Sequence, residues 1–227
     1  MNHLPDSVLK AAKTLDHTLL KSSAVSNDII HLTEQGLDNH VAAICVNPYW
    51  VALVSKILQG SDVAACCVVG FPLGANCPEV IAYEASQAVD SGVDEIDMVM
   101  NTGLAKEGNW NEIEDNIRIV KNTVGDKILK VIIEICELTD SEINTASLTV
   151  MNAGGDFVKT STGFGKYGAT VNAVKIMRKA VGGKIGIKAA GGIKTLDAVL
   201  NMIEAGAARI GTSSTLKILE EAKNRFG

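Results

Sequence analysis

One pattern constrains this chain more than any other: a short β-type run followed by a stretch of helical spacing, repeated along the whole length. The runs are Leu15–Leu20, Val41–Val46, Val63–Val69, Val93–Met100, Ile128–Ile135, Asp156–Thr160, Lys184–Ala189 and Ala207–Gly211. Between them lie amphipathic stretches at Ser26–Gln35, Tyr49–Gln59, Pro78–Ser91, Asn111–Val124, Asp140–Asn152, Thr170–Ala180 and Thr195–Ala205. Asp140 and Ser141 are expected to cap one of these helices and Thr195 another. Glycines after Ala153 and Ala205 end two of them. Strands that alternate with helices imply a parallel sheet with helical crossovers. Eight such units predict an α/β fold of the (β/α)8 TIM-barrel kind. No linker or composition shift divides the sequence, so residues 1–227 are expected to form a single domain.

The strands carry an unusual face code. In one, Ile96, Met98 and Met100 share a face, and Glu95, Asp97, Val99 and Asn101 share the other. In another, Leu129, Val131, Ile133 and Ile135 oppose Lys130, Ile132 and Glu134; in a third, Ile185, Ile187 and Ala189 oppose Lys184, Gly186 and Lys188. A barrel strand packs its outer face on helices, so that face must be the apolar one and the charged set points inward. Unpaired charges are costly inside a protein. Repetition of the pattern on several strands therefore predicts a polar site in the interior, at the C-terminal ends of the strands. Asp97, Lys159 and Lys188 all fall near those ends.

Two lysines and an aspartate facing one interior suggest amine chemistry. A lysine attacks a carbonyl only when unprotonated, and its usual pKa near 10.4 keeps it charged at neutral pH. A neighbouring ammonium and desolvation both lower that value. An aspartate can shuttle the protons that Schiff-base formation and carbon–carbon cleavage require. The alternative, three surface side chains on misassigned faces, fits one residue better than it fits all three. Glycine-rich turns follow the last strands: Lys159–Gly165, Ala189–Thr195 and Ile210–Ser214. Glycines let backbone N–H groups approach an anion, and in barrels the loops after strands 7 and 8 commonly bind phosphate. Ordinary tight turns would look alike singly, less so at two adjacent strands of this rank.

Composition excludes some classes. The formal charge is −5, against the basic footprint of a general nucleic-acid binder. No apolar run approaches a membrane span, and the N-terminus does not read as a signal peptide. Cys45, Cys66, Cys67, Cys77 and Cys136 form no C-x-x-C pair, and read as reduced cysteines of a cytoplasmic protein rather than a zinc site. His3, His17, His31 and His40 show no ligand spacing, so no metal is expected. His17 is expected to pack outside the barrel.

The segments LDHTLL (15–20), AAICVNP (42–48), GFPLG (70–74), EIDMVMN (95–101), KVIIE (130–134), DFVKTSTGF (156–164), IKAAGGI (187–193) and RIGTSS (209–214) resemble the 2-deoxy-D-ribose-5-phosphate aldolase family, in order along nearly the whole chain. The resemblance implies reversible cleavage of 2-deoxyribose 5-phosphate to glyceraldehyde 3-phosphate and acetaldehyde, by a class I mechanism without cofactor. It implies that Lys159 forms the Schiff base, that Lys188 is the neighbouring cation lowering its pKa, and that Asp97 transfers protons. Asp16, Thr18 and Cys45 would face or lie close to the substrate. Gly163, Gly191, Gly192, Gly211, Ser213 and Ser214 would hold the phosphate. Two departures stand out. Some members carry a lysine after KTSTG where this chain has Phe164, which leaves Lys166 or backbone dipoles to neutralise phosphate. Some also end in a longer tail with a proton-relaying tyrosine, whereas this sequence ends at Arg225-Phe226-Gly227.

Rival readings are a transaldolase-like Schiff-base enzyme acting on another sugar phosphate and a catalytically silent sugar-phosphate-binding barrel. Borohydride trapping separates the second from an aldolase, because a binder would not be labelled. The expected partners are a small sugar phosphate and acetaldehyde, with no nucleic acid and no membrane, and the expected assembly is a homodimer.

Overall fold

The computed structural model describes residues 6–226; His3 and Gly227 lie outside them. Eight strands close on themselves in sequence order, each parallel to both neighbours. They are β1 Leu15–Leu19, β2 Ala43–Val46, β3 Ala64–Val69, β4 Glu95–Val99, β5 Ile128–Ile132, β6 Phe157–Lys159, β7 Gly186–Ala190 and β8 Arg209–Thr212. Each overlaps a predicted run, most of them shorter because the ladder ends where the chain turns towards a helix. The helices are α1 Asp6–Ala12, α2 Ser26–Asp38, α3 Val51–Leu58, α4 Pro78–Asp90, α5 Thr102–Lys106, α6 Trp110–Val124, α7 Asp140–Asn152, α8 Val171–Val181, α9 Leu196–Ala205 and α10 Thr215–Phe226. The seven predicted helices are present, and α1, α5 and α10 are additional. None of the described helices is long and apolar enough to cross a membrane.

Local chemistry sets the helix starts. Thr170 and Thr195 accept the first free N–H groups of α8 and α9. For α7 the cap is Thr139, not Asp140 or Ser141. Its hydroxyl accepts from the Glu142 N–H at 3.3 Å while the Glu142 carboxylate accepts from the Thr139 N–H at 2.6 Å. This reciprocal box needs Glu three residues after the cap, which Thr139 has and Asp140 lacks.

The face code holds in three dimensions. Ile96, Met98, Leu129, Val131, Ile187 and Ile210 are buried against helix residues such as Ile117, Val150, Val174 and Leu219 in the main core. Cys66 points inward with Cys45 and Val68, while adjacent Cys67 joins the outer core. His17 is buried on the outer side of β1, where its Nε2 meets Gln35 Oε1 at 3.3 Å. The five cysteines are all free thiols.

Candidate active site

The interior carries one continuous network of charge. Lys159 and Lys188 are register partners on β6 and β7, so their side chains leave neighbouring strands at the same level. Both donate to the same oxygen of Asp97, Oδ2, at 2.7 and 2.6 Å. Lys130 donates to the other oxygen, Oδ1, at 2.8 Å, and pairs with Glu95 at 2.7 Å. Lys188 also meets Asp16. Arg209 closes the ring: its Nε donates to Asp16 at 2.8 Å and its two terminal nitrogens donate to Glu95 at 3.0 and 2.9 Å. Every one of these side chains except Arg209 is almost fully buried.

The network holds four cations, Lys130, Lys159, Lys188 and Arg209, against three carboxylates, Asp16, Glu95 and Asp97. Buried charge is tolerated when it is balanced, and one neutral amine brings this cluster to balance. Burial pushes the Lys188 amine down, but the carboxylates of Asp16 and Asp97 outweigh it and hold Lys188 protonated well beyond the ordinary lysine range. Lys130 is held protonated in the same way, chiefly by Asp97 against the cost of burial. Burial raises the Asp97 carboxyl, and Lys130, Lys159 and Lys188 together pull it well below the usual carboxylate range. Asp16 shows the same contest: burial against Lys188, Arg209 and Lys130, ending at about 2. Lys188 is thus held as a cation and Asp97 as a carboxylate.

Lys159 differs from the other cations in position. It is 3% exposed, and it forms part of the lining of an open cavity of about 490 Å³ at the C-terminal mouth of the barrel. Thr18, Thr162, Gly163, Gly191, Gly192, Gly211 and Ser213 line the same cavity. Lys188, Asp97, Asp16 and Cys45 lie beneath it and are not part of its surface. Ser214 is one step behind, with its N–H on the Thr212 hydroxyl at 2.9 Å. Lys166 points elsewhere: it is largely exposed and faces Glu137 at 3.5 Å. Besides Lys159, the lysines that line the cavity are Lys21 and Lys194. Lys194 follows IKAAGGI directly and Lys21 follows LDHTLL, so position after a strand end was the available signal. Phe164 rests edge-on against Phe71, ring centres 5.3 Å apart.

Two glycines matter for closeness of approach. A Cβ on Gly168 would lie 2.1 Å from the Gly191 carbonyl oxygen, so the β6 and β7 loops touch backbone to backbone. A Cβ on Gly211 would sit 3.3 Å from Lys188 Cε, in the space the lysine stem uses.

The sequence reading placed Lys130 and Glu95 on inward faces but gave them no part in the chemistry, and Arg209 stood only within the RIGTSS resemblance. Lys130 is the hub that balances Asp97 and Glu95. Replacing it with Met breaks two buried ion pairs at once, those with Asp97 and Glu95, which costs about 3–5 kcal/mol. Thermal denaturation of Lys130→Met should show a midpoint lower by about 10 °C; an unchanged midpoint would remove Lys130 from the network. Cys45 and Cys66 sulfurs lie within 4.8 Å of an Asp97 oxygen. Three lysines occupy the cation positions around that carboxylate, so the donor set is an amine–carboxylate site rather than a metal cage. The Cys66 thiol is pushed well up by burial, and Cys45 is drawn down by a hydrogen bond from the Cys66 thiol.

Known proteins share this architecture. The family described as DeoC/LacD family aldolase matches residues 10–221. A deoxyribose-phosphate aldolase of Streptococcus uberis is 51% identical over 211 residues, covering 93% of this chain and 96% of that protein. A solved aldolase designated QR15 superimposes with a TM-score of 0.91 at 37% identity, over 95% of this chain and 96% of its own. A deoxyribose phosphate aldolase from Aeropyrum pernix, described as a unique tetramer, gives 0.87 at 30% identity over 96% and 93%.

Proposed function

The chain belongs to the DeoC/LacD aldolase family, and from that premise we infer that it reversibly cleaves 2-deoxy-D-ribose 5-phosphate to D-glyceraldehyde 3-phosphate and acetaldehyde. It is a lyase of the class I kind. One observation carries the assignment of roles: of the three buried lysines that touch Asp97, Lys159 alone opens on the cavity. Its amine attacks the C1 aldehyde of the open-chain sugar. Asp97 Oδ2, 2.7 Å from that nitrogen, takes the proton the nitrogen sheds and returns it to the departing hydroxyl, so water leaves and an iminium forms. A carboxylate held this far below its usual range is unprotonated at rest and a ready donor once loaded. Loss of the C3 hydroxyl proton then breaks the C2–C3 bond. Glyceraldehyde 3-phosphate departs, the bonding pair becomes an enamine on Lys159, and reprotonation at C2 with hydrolysis releases acetaldehyde. Lys188 keeps positive charge beside the nitrogen throughout. Thr18, held to the Asp16 carbonyl at 2.9 Å, and Cys45 flank the path.

The glycine-rich rim fits the phosphate. Gly163, Gly191 and Gly192 all have positive φ, which turns backbone N–H groups in ways other residues resist, and Lys21, Lys194 and Ser213 share the lining. Gly211 keeps room there, Ser214 directly precedes α10, and Lys166 serves only if its loop turns inward. Removing the phosphate from the substrate should lower kcat/KM by about 10²-fold or more, because remote binding energy positions the reacting carbon. Equal kcat/KM for deoxyribose and its 5-phosphate would overturn this assignment.

We take residues 1–227 as one barrel domain that works in the cytoplasm. A homodimer is the assembly we propose; exposed Tyr49, Val80 and Tyr83, which line one surface hollow, offer an apolar surface for it, and sedimentation of the purified protein reads it directly.

A further inference from the structure

Among the described residues two that are not glycine have positive φ, the exposed His40 and the buried Glu134 in the loop that leaves β5. Glu134 has φ +53 and ψ +68, the left-handed region, although it is not glycine. Side chains other than Gly, Asn and Asp resist that conformation, and it persists only where the surroundings over-determine it. Here they do. The strand before it is tied to β6 by the Ile133 N–H on the Lys159 carbonyl, 3.0 Å, and the loop after it by the Ile135 N–H on the Thr160 carbonyl, 2.9 Å. Between these two bonds the chain turns so that the Glu134 carboxylate points across to the β6 loop. It is buried, 8% exposed, and has no counter-cation within ion-pair distance among the described residues.

Its partners are Thr162 and, on the other oxygen, the Cys136 thiol, Sγ 3.7 Å from Oε1. Glu134 Oε2 accepts from the Thr162 hydroxyl and, at 3.3 Å, from the Thr162 N–H. Because that hydroxyl donates to Glu134, its lone pair faces the other way and accepts the Phe164 N–H at 3.0 Å. The loop is thus bridged from 162 to 164 by the Thr162 hydroxyl, which the Glu134 carboxylate orients, with Gly163 between. Gly165 closes over the same group so tightly that a Cβ there would lie 3.3 Å from the Glu134 carboxyl carbon. Thr162 and Gly163 line the mouth cavity; Glu134 does not.

We propose that Glu134 is a positioning residue for the phosphate end of the substrate, resting on the sugar-phosphate reading given above: its carboxylate fixes Thr162 and Phe164 so that the Gly163 N–H is held towards the phosphate. Glu134 touches neither substrate nor Lys159 and acts only through the loop. A loop released from this carboxylate loses its preset N–H direction, so the loss falls on phosphate binding and not on imine chemistry.

The test compares two substrates, deoxyribose 5-phosphate and unphosphorylated deoxyribose, with borohydride trapping by acetaldehyde as a third readout. Glu134→Ala should raise KM for the phosphorylated sugar by about tenfold or more. Turnover of deoxyribose and trapping at Lys159 should stay near wild type. Glu134→Gln, whose amide oxygen still accepts from Thr162, should restore most of the affinity. Thr162→Val should reproduce the Glu134→Ala defect, and the double variant should be no worse than the worse single, since both remove one connection. Should Glu134→Ala fail to fold, Thr162→Val and Glu134→Gln carry the comparison. Equal losses on both substrates, or an unchanged KM for the phosphorylated one, would overturn the proposal. A wild-type protein indifferent to phosphate would overturn the sugar-phosphate reading, and this inference with it.

Discussion

Lys159→Leu should give a folded protein with no measurable aldol cleavage and no covalent trapping by acetaldehyde and borohydride at any pH. Leucine fills most of the stem volume and removes the one buried amine that reaches the cavity. The cluster keeps three cations against three carboxylates, so its charge is balanced and the barrel should persist. Lys188→Leu should fail differently. Lys188 sits 2.6 Å from the oxygen that Lys159 also uses. Its removal takes away a repelling charge and leaves Asp97 and Asp16 under-neutralised. Both changes favour the protonated form of the remaining amine, so residual activity and trapping should move to more alkaline pH. Each unit of displacement corresponds to about 1.4 kcal/mol of lost coupling. Mass spectrometry of borohydride-treated variants across pH separates the two cases. An ethyl adduct on Lys188 in the Lys159→Leu protein would reverse the roles.

Asp97→Asn should lower kcat by about 10²–10⁴-fold, the usual worth of general acid–base help. From the sequence, this change is expected to leave the fold intact, because Asn has nearly the shape of Asp. The tertiary structure corrects that expectation. Asp97 is the shared counter-charge of Lys130, Lys159 and Lys188, and a neutral amide leaves buried ammoniums facing each other. The variant should therefore unfold at lower denaturant as well as turn over slowly. Trapping supplies the discriminating readout. Asp97 moves the protons of carbinolamine formation and dehydration, so trapping of acetaldehyde at Lys159 should slow in parallel with cleavage, whereas a purely structural role would leave trapping by the folded fraction unchanged. Near-normal kcat in the folded fraction would take Asp97 out of proton transfer.

Much of this molecule was legible in one dimension. Strand and helix periodicity specify eight βα units. The period of two in Glu95-Ile96-Asp97 and Lys130-Val131-Ile132 separates inward charge from outward hydrocarbon, because successive side chains of a strand leave on opposite faces. Those facts alone place Asp97, Lys159 and Lys188 in a polar interior near the strand ends. The glycine-rich turns after β6, β7 and β8 mark the rim in the same way.

Pairing across the barrel was not legible, since it depends on closure and register. Lys130 lies 33 residues from Asp97, and Arg209 lies 193 from Asp16. No local spacing rule relates such residues. Only the closed sheet, with β8 against β1, brings Arg209 to Asp16 and makes one cluster from seven scattered ionisable side chains. The same holds at the mouth. Lys166 was the nearest lysine to KTSTG in sequence, yet the loop directs it to Glu137, and Lys21 and Lys194 arrive at the cavity from β1 and β7. The left-handed turn at Glu134, which aims a carboxylate at Thr162, has no sequence signature because glycine is what that conformation ordinarily selects. The sequence by itself determined which faces carry charge, through side-chain alternation; the tertiary structure decided which charge answers which, through closure of the barrel.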